Sequence, residues 1–311
     1  MSVHDRIKEA DLTAVTIAFL GIGLMGKPMS LRLLRAGFAL RVWNRSADKA
    51  EALRAHGALP QAGAADAVRG AQVVISMLES GAVVDAVIDA ARDALAPGTL
   101  WIDMSSTQHG EALAFHARLA EQGCRFIDAP VSGGVAGAEA GSLAIMAGGA
   151  GTDFAQAEAI LAALGRPTLV GPAGSGQVAK LCNQLIVGGT LNIVAEALLL
   201  AQAAGADPAA VRSAIRGGFA ESRILEMHGQ RMLERNFMPG GQVKSQLKDL
   251  RNVLVAAADA GVVLPVTALV TNSYASIEAQ HPRADQSAAL LALEKLNPGL
   301  RLGAGPDQLP D

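Results

Sequence analysis

Aromatic residues make up only 3% of this 311-residue chain, and it has just two cysteines, Cys124 and Cys182. With so few rings, the interior must rest on Ala, Leu, Val, Ile and Met. The cysteines show no CxxC or Cys/His spacing and read as small buried hydrophobes in a reducing compartment. The six histidines, His4, His56, His109, His116, His228 and His281, are scattered without ligand spacing, so no metal is expected. Charge is nearly balanced at −3, which gives no electrostatic reason to expect nucleic acid or an anionic membrane as partner. The first fourteen residues, MSVHDRIKEADLTA, are charged and lack the apolar run of a signal peptide. The most apolar long stretch, 180–205, is interrupted by Asn192, Glu196 and Gln202, so no membrane span is expected. The expected location is cytoplasmic.

What the chain does have is length and apolar content. At 50% hydrophobic it can build two domains of ordinary size. In the first half, short β-branched runs alternate with helical spacing. Strands are expected at 15–21, 39–44, 73–78, 99–104, 125–130, 143–149 and 167–171, with helices over 29–37 and 47–57. That alternation predicts a parallel, doubly wound sheet. After about residue 175 only long Ala/Leu segments recur: 178–205, 208–216, 221–235, 244–260 and 265–280, broken by Gly or Pro. The expected fold class is therefore α/β plus all-α. Its parts are an extension at 1–14, a Rossmann-type domain at 15–177, an interdomain helix at 178–205, an all-helical domain at 206–296 and a loosely ordered tail at 297–311.

Gly21-Ile22-Gly23-Leu24-Met25-Gly26 follows the first strand and opens a helix. In that context GxGxxG is informative. Gly21 permits the tight turn, Gly23 lets backbone approach a pyrophosphate, and Gly26 lets the helix pack on the strand. The helix N-terminus offers free N–H groups to the phosphates. The second strand ends in Asn44-Arg45-Ser46, where an acidic residue would hold the ribose of NAD. Arg45 can instead pair with a 2′-phosphate, which favours NADP(H) over NAD(H); the alternative is a solvated Arg45 and a Ser46 that merely caps a helix. A second small-residue stretch, DAPVSGGVAGAEAG (128–141), is too rich in small residues for a packed helix. Its Ser132-Gly133-Gly134 could form an anion-binding concavity for a substrate carboxylate, or simply a mobile surface loop. Lys180, Asn183 and Gln184 share one face of the long apolar helix. Alone, such a lysine would be read as snorkelling from a helix end. Gly188-Gly189 cost helix stability and make sense where another backbone packs closely.

Taken together, FLGIGLMGKPMS (19–30), WIDMSS (101–106), DAPVSGG (128–134), GQVAKLCNQ (176–184) and KDL (248–250) resemble the β-hydroxyacid dehydrogenases, the 3-hydroxyisobutyrate dehydrogenase family. The likeness runs in order from about 15 to 295. It implies an NAD(P)-dependent oxidoreductase acting on small hydroxyacids or semialdehydes, with a helical domain that often builds homodimers or homotetramers. It places Lys180 on the catalytic lysine. Ser132, Gly133, Gly134, Asn183 and Gln184 fall on substrate contacts. Lys248 falls on a lysine that reaches cofactor and substrate, Met77 and Leu78 on the cofactor path, and Ser106 on a hydroxyl near the nicotinamide. Gln184, AIRGG (214–218) and RNFMPG (235–240) point to the branch that reduces tartronate semialdehyde. Glu79, Gly241, Lys244 and Ser245 depart from the family pattern and leave the substrate open.

The chemistry implied is hydride reduction of an aldehyde with Lys180 as general acid, and the reverse with Lys180 as base. A positioned acid is worth about 10²- to 10⁴-fold in rate. Partial burial and a nearby Lys248 would both lower the lysine's pKa and help the reverse direction. The competing expectation is NAD-linked oxidation of 3-hydroxyisobutyrate or another β-hydroxyacid such as threonate. Imine reductases generally replace the lysine. A non-catalytic dinucleotide-binding module would be expected to lose it or the second glycine stretch, and both are present.

Overall fold

A computed structural model describes residues 15–311. The expected extension at 1–14, with His4, lies outside the described residues. The chain divides into two compact units, the first ending at Lys180 and the second being Leu181–Asp311.

The first unit is built on a nine-stranded sheet. Its elements in chain order are β1 (Thr16–Leu20), α1 (Gly26–Arg35), β2 (Ala39–Trp43), α2 (Ala47–Glu51), β3 (Leu59–Pro60), α3 (Ala64–Val68), β4 (Val73–Ser76), α4 (Gly81–Ala91), β5 (Leu100–Asp103), α5 (His109–Ala120), β6 (Arg125–Asp128), β7 (Val131–Ser132), α6 (Gly134–Ala140), β8 (Leu143–Gly148), α7 (Gly151–Ala162) and β9 (Gly165–Gly171). Strand order is β3-β2-β1-β4-β5-β6-β8-β7, with β9 on β8. The first six strands pair in parallel, as expected from the alternation. β8 runs antiparallel to both β6 and β7, so the sheet is mixed at that edge.

Side-chain alternation along the strands separates two cores. Ile17, Phe19, Val73, Ile75, Leu100, Ile102 and Ile127 belong to one. Ala18, Leu20, Val74, Trp101 and Phe126 belong to the other. Successive residues of a strand point to opposite faces, so a sheet covered by helices on both sides buries every residue, and these are apolar except at strand ends such as Ser76, Asp103 and Asp128. β4 and β5 are accordingly buried throughout. This explains why these strands read as continuous apolar runs. Two strands of two residues, β3 and β7, are too short to show a periodicity. The stretch 128–141, expected to be too rich in small residues for a packed helix, holds β7 and the seven-residue α6. Its small residues serve close packing: a Cβ on Gly137 would come within 3.1 Å of the Leu143 side chain.

α8 (Ser175–Ala203) runs for 29 residues, and the division between the units falls inside it. The second unit continues with α9 (Pro208–Ala214), α10 (Arg223–Glu234), α11 (Val243–Asp259), α12 (Pro265–Glu278) and α13 (Ala289–Leu296). Leu191, Val194, Ala195, Leu198 and Leu199 of α8 enter its core with Leu247, Leu250 and Tyr274. By length and mean hydropathy (1.7 over its most apolar window) α8 could cross a membrane, despite its polar interruptions. Core helices share both properties, and here 39% of that window is buried. A Cβ on Gly188 would lie 2.7 Å from the Gln246 Nε2, whereas one on Gly189 would meet nothing within 4 Å among the described residues. Gly188 thus makes room for a polar side chain rather than for the backbone that was expected. Cys124 is buried, but Cys182 is exposed, contrary to its expected burial.

The tail is also pinned rather than loose. Arg235, 1% exposed, pairs bidentately with Glu294 (2.7 and 2.9 Å) and donates to the Leu302 carbonyl (2.7 Å) and to Asp307. Phe237 N–H donates to the Gln308 carbonyl, and Gln308 N–H to the Arg235 carbonyl, both at 2.9 Å. A buried guanidinium needs its charge and its donors matched, and the tail supplies part of that match.

Candidate active site

The glycine loop has the geometry its three glycines require. Gly21 sits at φ +105°, and a Cβ there would lie 2.3 Å from the Met77 carbonyl. A Cβ on Gly26 would stand 1.9 Å from the Gly21 carbonyl, so α1 can start this close to β1 only with glycine. A Cβ on Gly23 would meet nothing within 4 Å among the described residues. Ile22 is buried, Met25 half-buried, and Gly23 and Leu24 are exposed. The loop therefore presents open backbone at the start of a ten-residue helix, a cradle that fits a dinucleotide pyrophosphate. A cavity of about 740 Å³ adjoins it, lined by Ile22, Gly23, Leu24, Lys27, Asp48 and Glu139 among others.

Asn44 braces this loop. Its Oδ1 accepts from Ile22 N–H at 2.9 Å, and its Nδ2 donates to the Ser46 carbonyl at 3.0 Å. Arg45 is exposed beside it. Ser46 occupies the N-cap of α2 but makes no side-chain capping bond. Met77 and Leu78, both half-buried, follow β4; Leu78 N–H donates to Ser105 Oγ at 2.9 Å. Ser106, half-buried, lies in the loop after β5. Ser132 ends β7, and Gly133 (φ +136°) and Gly134 (φ +61°) turn the chain into α6.

Lys180 is 8% exposed, one turn into α8. Asn183 and Gln184 follow, both half-buried. Gln184 is already engaged within the second unit. Its Nε2 donates to Asp249 Oδ2 (2.7 Å) and to Gln246 Oε1 (3.2 Å), and its Oε1 accepts from Asn183 Nδ2 (2.8 Å). Asp249 also pairs with Lys248, at 3.2 Å. The structure thus links Asn183, Gln184 and Lys248 through one carboxylate. Asp249 stands inside the KDL stretch, yet nothing in sequence spacing assigns it that role. Lys244, Ser245 and Gly241, the departures from the family pattern, are all exposed.

Two carboxylates on neighbouring strands were also not foreseen. Asp103 and Asp128 are register partners in β5 and β6, both fully buried. Burial pushes the Asp128 carboxyl up to about 7, against hydrogen bonds from the Gly174 and Gln177 amides. Burial likewise pushes Asp103 up to about 6, against hydrogen bonds from Ser105 and Ser76. Asp103 Oδ1 accepts from Ser76 Oγ (2.8 Å) and Ser105 N–H (3.2 Å), while its Oδ2 has no hydrogen-bond partner among the described residues.

Comparison with known proteins agrees with this architecture. Residues 16–174 match a family model described as the NAD binding domain of 6-phosphogluconate dehydrogenase. Residues 174–293 match one described as NAD-binding of NADP-dependent 3-hydroxyisobutyrate dehydrogenase. The chain is 38% identical over 283 residues to 2-hydroxy-3-oxopropionate reductase of Escherichia coli, covering 89% of this chain and 97% of that protein. It is 35% identical over 269 residues to an NAD-dependent L-serine dehydrogenase of Pseudomonas aeruginosa, covering 83% and 90%. The solved Mycobacterium tuberculosis 3-hydroxyisobutyrate dehydrogenase with L-serine superposes with a TM-score of 0.84 at 33% identity, covering 90% and 99%.

The raised carboxyl values make a pH prediction. An acid whose folded pKa lies above its unfolded value stabilises the fold at low pH and loses that contribution as pH rises through the folded pKa. Asp103→Asn removes one such group. The difference in unfolding free energy between variant and parent should move in the variant's favour from about pH 4 to about pH 6, in urea titrations at stepped pH. A difference that is flat across that window contradicts the assignment.

Proposed function

Because the chain belongs to the 3-hydroxyisobutyrate dehydrogenase family of NAD(P)-dependent oxidoreductases acting on CH–OH groups, we propose that it reduces 2-hydroxy-3-oxopropionate (tartronate semialdehyde) to glycerate, with NADPH preferred over NADH. The observation that carries the substrate is the near end-to-end match to the Escherichia coli reductase of that aldehyde. Gln184, AIRGG (214–218) and RNFMPG (235–240) support it. The nicotinamide, when bound, supplies the hydride to the carbonyl carbon. Lys180 Nζ delivers the proton to the carbonyl oxygen and takes it back from solvent after each turnover. Its burial matters because a fixed ammonium in a water-poor setting stabilises a developing alkoxide far better than one in bulk water. Ser132, Gly133 and Gly134 receive the carboxylate on their amides and hydroxyl, and Asn183 orients the hydroxyl. Arg45, exposed at the end of β2, pairs with the 2′-phosphate.

A second reading is NAD-linked oxidation of a β-hydroxyacid, including L-serine. It is supported by the serine dehydrogenase relative and by the L-serine named with the mycobacterial structure.

A panel of tartronate semialdehyde, glycerate, 3-hydroxyisobutyrate, threonate and L-serine, run with both dinucleotides, separates these. The semialdehyde with NADPH should give the highest kcat/KM. Arg45→Ala should lower kcat/KM with NADPH by about tenfold, roughly one charge-assisted hydrogen bond, and leave NADH unaffected. Lys180→Ala should lower kcat by about 10²-fold or more. Preference for L-serine with NAD would replace the lead reading with the second.

The protein also functions as a homodimer or homotetramer in this reading. Ile186, Ile193 and Leu200 repeat every seven residues along α8 and are 62%, 62% and 69% exposed. Such a stripe is costly to leave in water. Light scattering should give a mass of two or four chains; a monomer at micromolar concentration contradicts it.

A further inference from the structure

The first turn of α8 contains no acidic residue of its own. Its capping carboxylate comes from β6. Asp128 Oδ1 accepts from Gly174 N–H at 2.7 Å, and Oδ2 accepts from Gln177 N–H at 2.9 Å. These are the residue before the helix and its third residue, the donors a local capping side chain would normally serve. A negative charge there also meets the positive end of the helix dipole. The approach is tight: a Cβ on Gly176 would lie 2.4 Å from the Met146 carbonyl and 2.5 Å from that of Asp128. The helix start therefore cannot slide along the strand edge.

Gln177 carries the constraint onward. Its backbone is held by Asp128, and its side chain is fully buried. Oε1 accepts from Thr107 N–H at 3.0 Å, and Nε2 donates to the Ser105 carbonyl at 2.9 Å. One carboxamide thus clamps both flanks of Ser106. Ser105 Oγ in turn accepts from Leu78 N–H. A carboxamide offers an acceptor and a donor at this reach without titrating; an ionised carboxylate would lose the donor and add charge beside two buried acids. Lys180 lies three residues after Gln177 on the same helix. The buried network therefore touches three segments that carry separate candidate functions: the Leu78 loop, the Ser106 loop and the Lys180 turn.

We propose that Gln177, held by Asp128, is a positioning residue for hydride transfer, locking the Lys180 turn and the Ser106 loop into one rigid piece. The proposal rests on Lys180 being the acid. Gln177 is fully buried with its carboxamide engaged by Thr107 and Ser105; it acts by keeping the proton donor within reach of the reacting oxygen. Displacement of a catalytic group by about 1 Å costs on the order of 10²-fold in rate.

The test compares the parent with Gln177→Met, which keeps the bulk, and Gln177→Glu, which keeps the shape. Tartronate semialdehyde is the substrate, or whichever panel compound the parent turns over. Three quantities are read: dinucleotide bound per chain, kcat, and the primary deuterium isotope effect with the reduced dinucleotide deuterated at the transferring position. The expected result is full dinucleotide binding, kcat lower by about 10- to 100-fold and an isotope effect larger than the parent's. Misfolding removes active sites without altering the isotope effect of those that remain. A fall in kcat matched by lost dinucleotide sites at an unchanged isotope effect therefore overturns the inference, as does parental kcat in both variants. Parental kcat in Lys180→Ala overturns the reading of Lys180 itself, and shows without any change at Gln177.

Discussion

A single buried carboxylate ties the start of the longest helix to the sheet. Asp128 ends one strand of the sheet and caps the helix that carries Lys180. The charge it needs for that task is expensive, since burial raises its carboxyl to about 7. Two backbone amides and a helix dipole oppose the cost, and the backbone around Gly176 leaves no room for a looser arrangement. Everything downstream inherits this geometry: the clamp on Ser105 and Thr107, the placement of Ser106 and the start of a helix 29 residues long.

The glycine loop obeys a different constraint, close packing. Gly26 abuts the Gly21 carbonyl and Gly21 abuts the Met77 carbonyl, so no side chain fits at either position. Gly23 is open, and open backbone at a helix start is what phosphates require. Asn44 adds a brace across the loop by accepting from Ile22 N–H. A carboxylate there could accept the same bond, but it would add a charge next to the position that Arg45 is proposed to reserve for a phosphate.

Much of this was legible in the chain itself. Doubly buried strands announce themselves as apolar runs, because both faces of the sheet are covered, and the GxGxxG spacing follows from local backbone geometry. The boundaries of α9 to α12 agree with Gly and Pro breaks because those residues act locally. What escaped notice depends on partners far away along the chain. Asp128 and Gln177 are 49 residues apart, Gln184 and Asp249 are 65 apart, and Arg235 holds Asp307 from 72 residues away. No spacing rule encodes such pairings. The tail illustrates the same limit: PGLRLGAGPDQLPD has the composition of a loose end, yet it completes the environment of a buried guanidinium.

The proposed role of Lys180 is to deliver the proton that completes reduction. It is tested most directly by the pH dependence of single-turnover hydride transfer, followed by loss of NADPH absorbance with tartronate semialdehyde bound. In the parent the rate should fall on the basic side, as the ammonium is titrated. In Lys180→Met, which keeps the aliphatic bulk, it should be low and flat over the same range, with dinucleotide binding retained. A variant that keeps the parent's rate and its basic limb contradicts the claim.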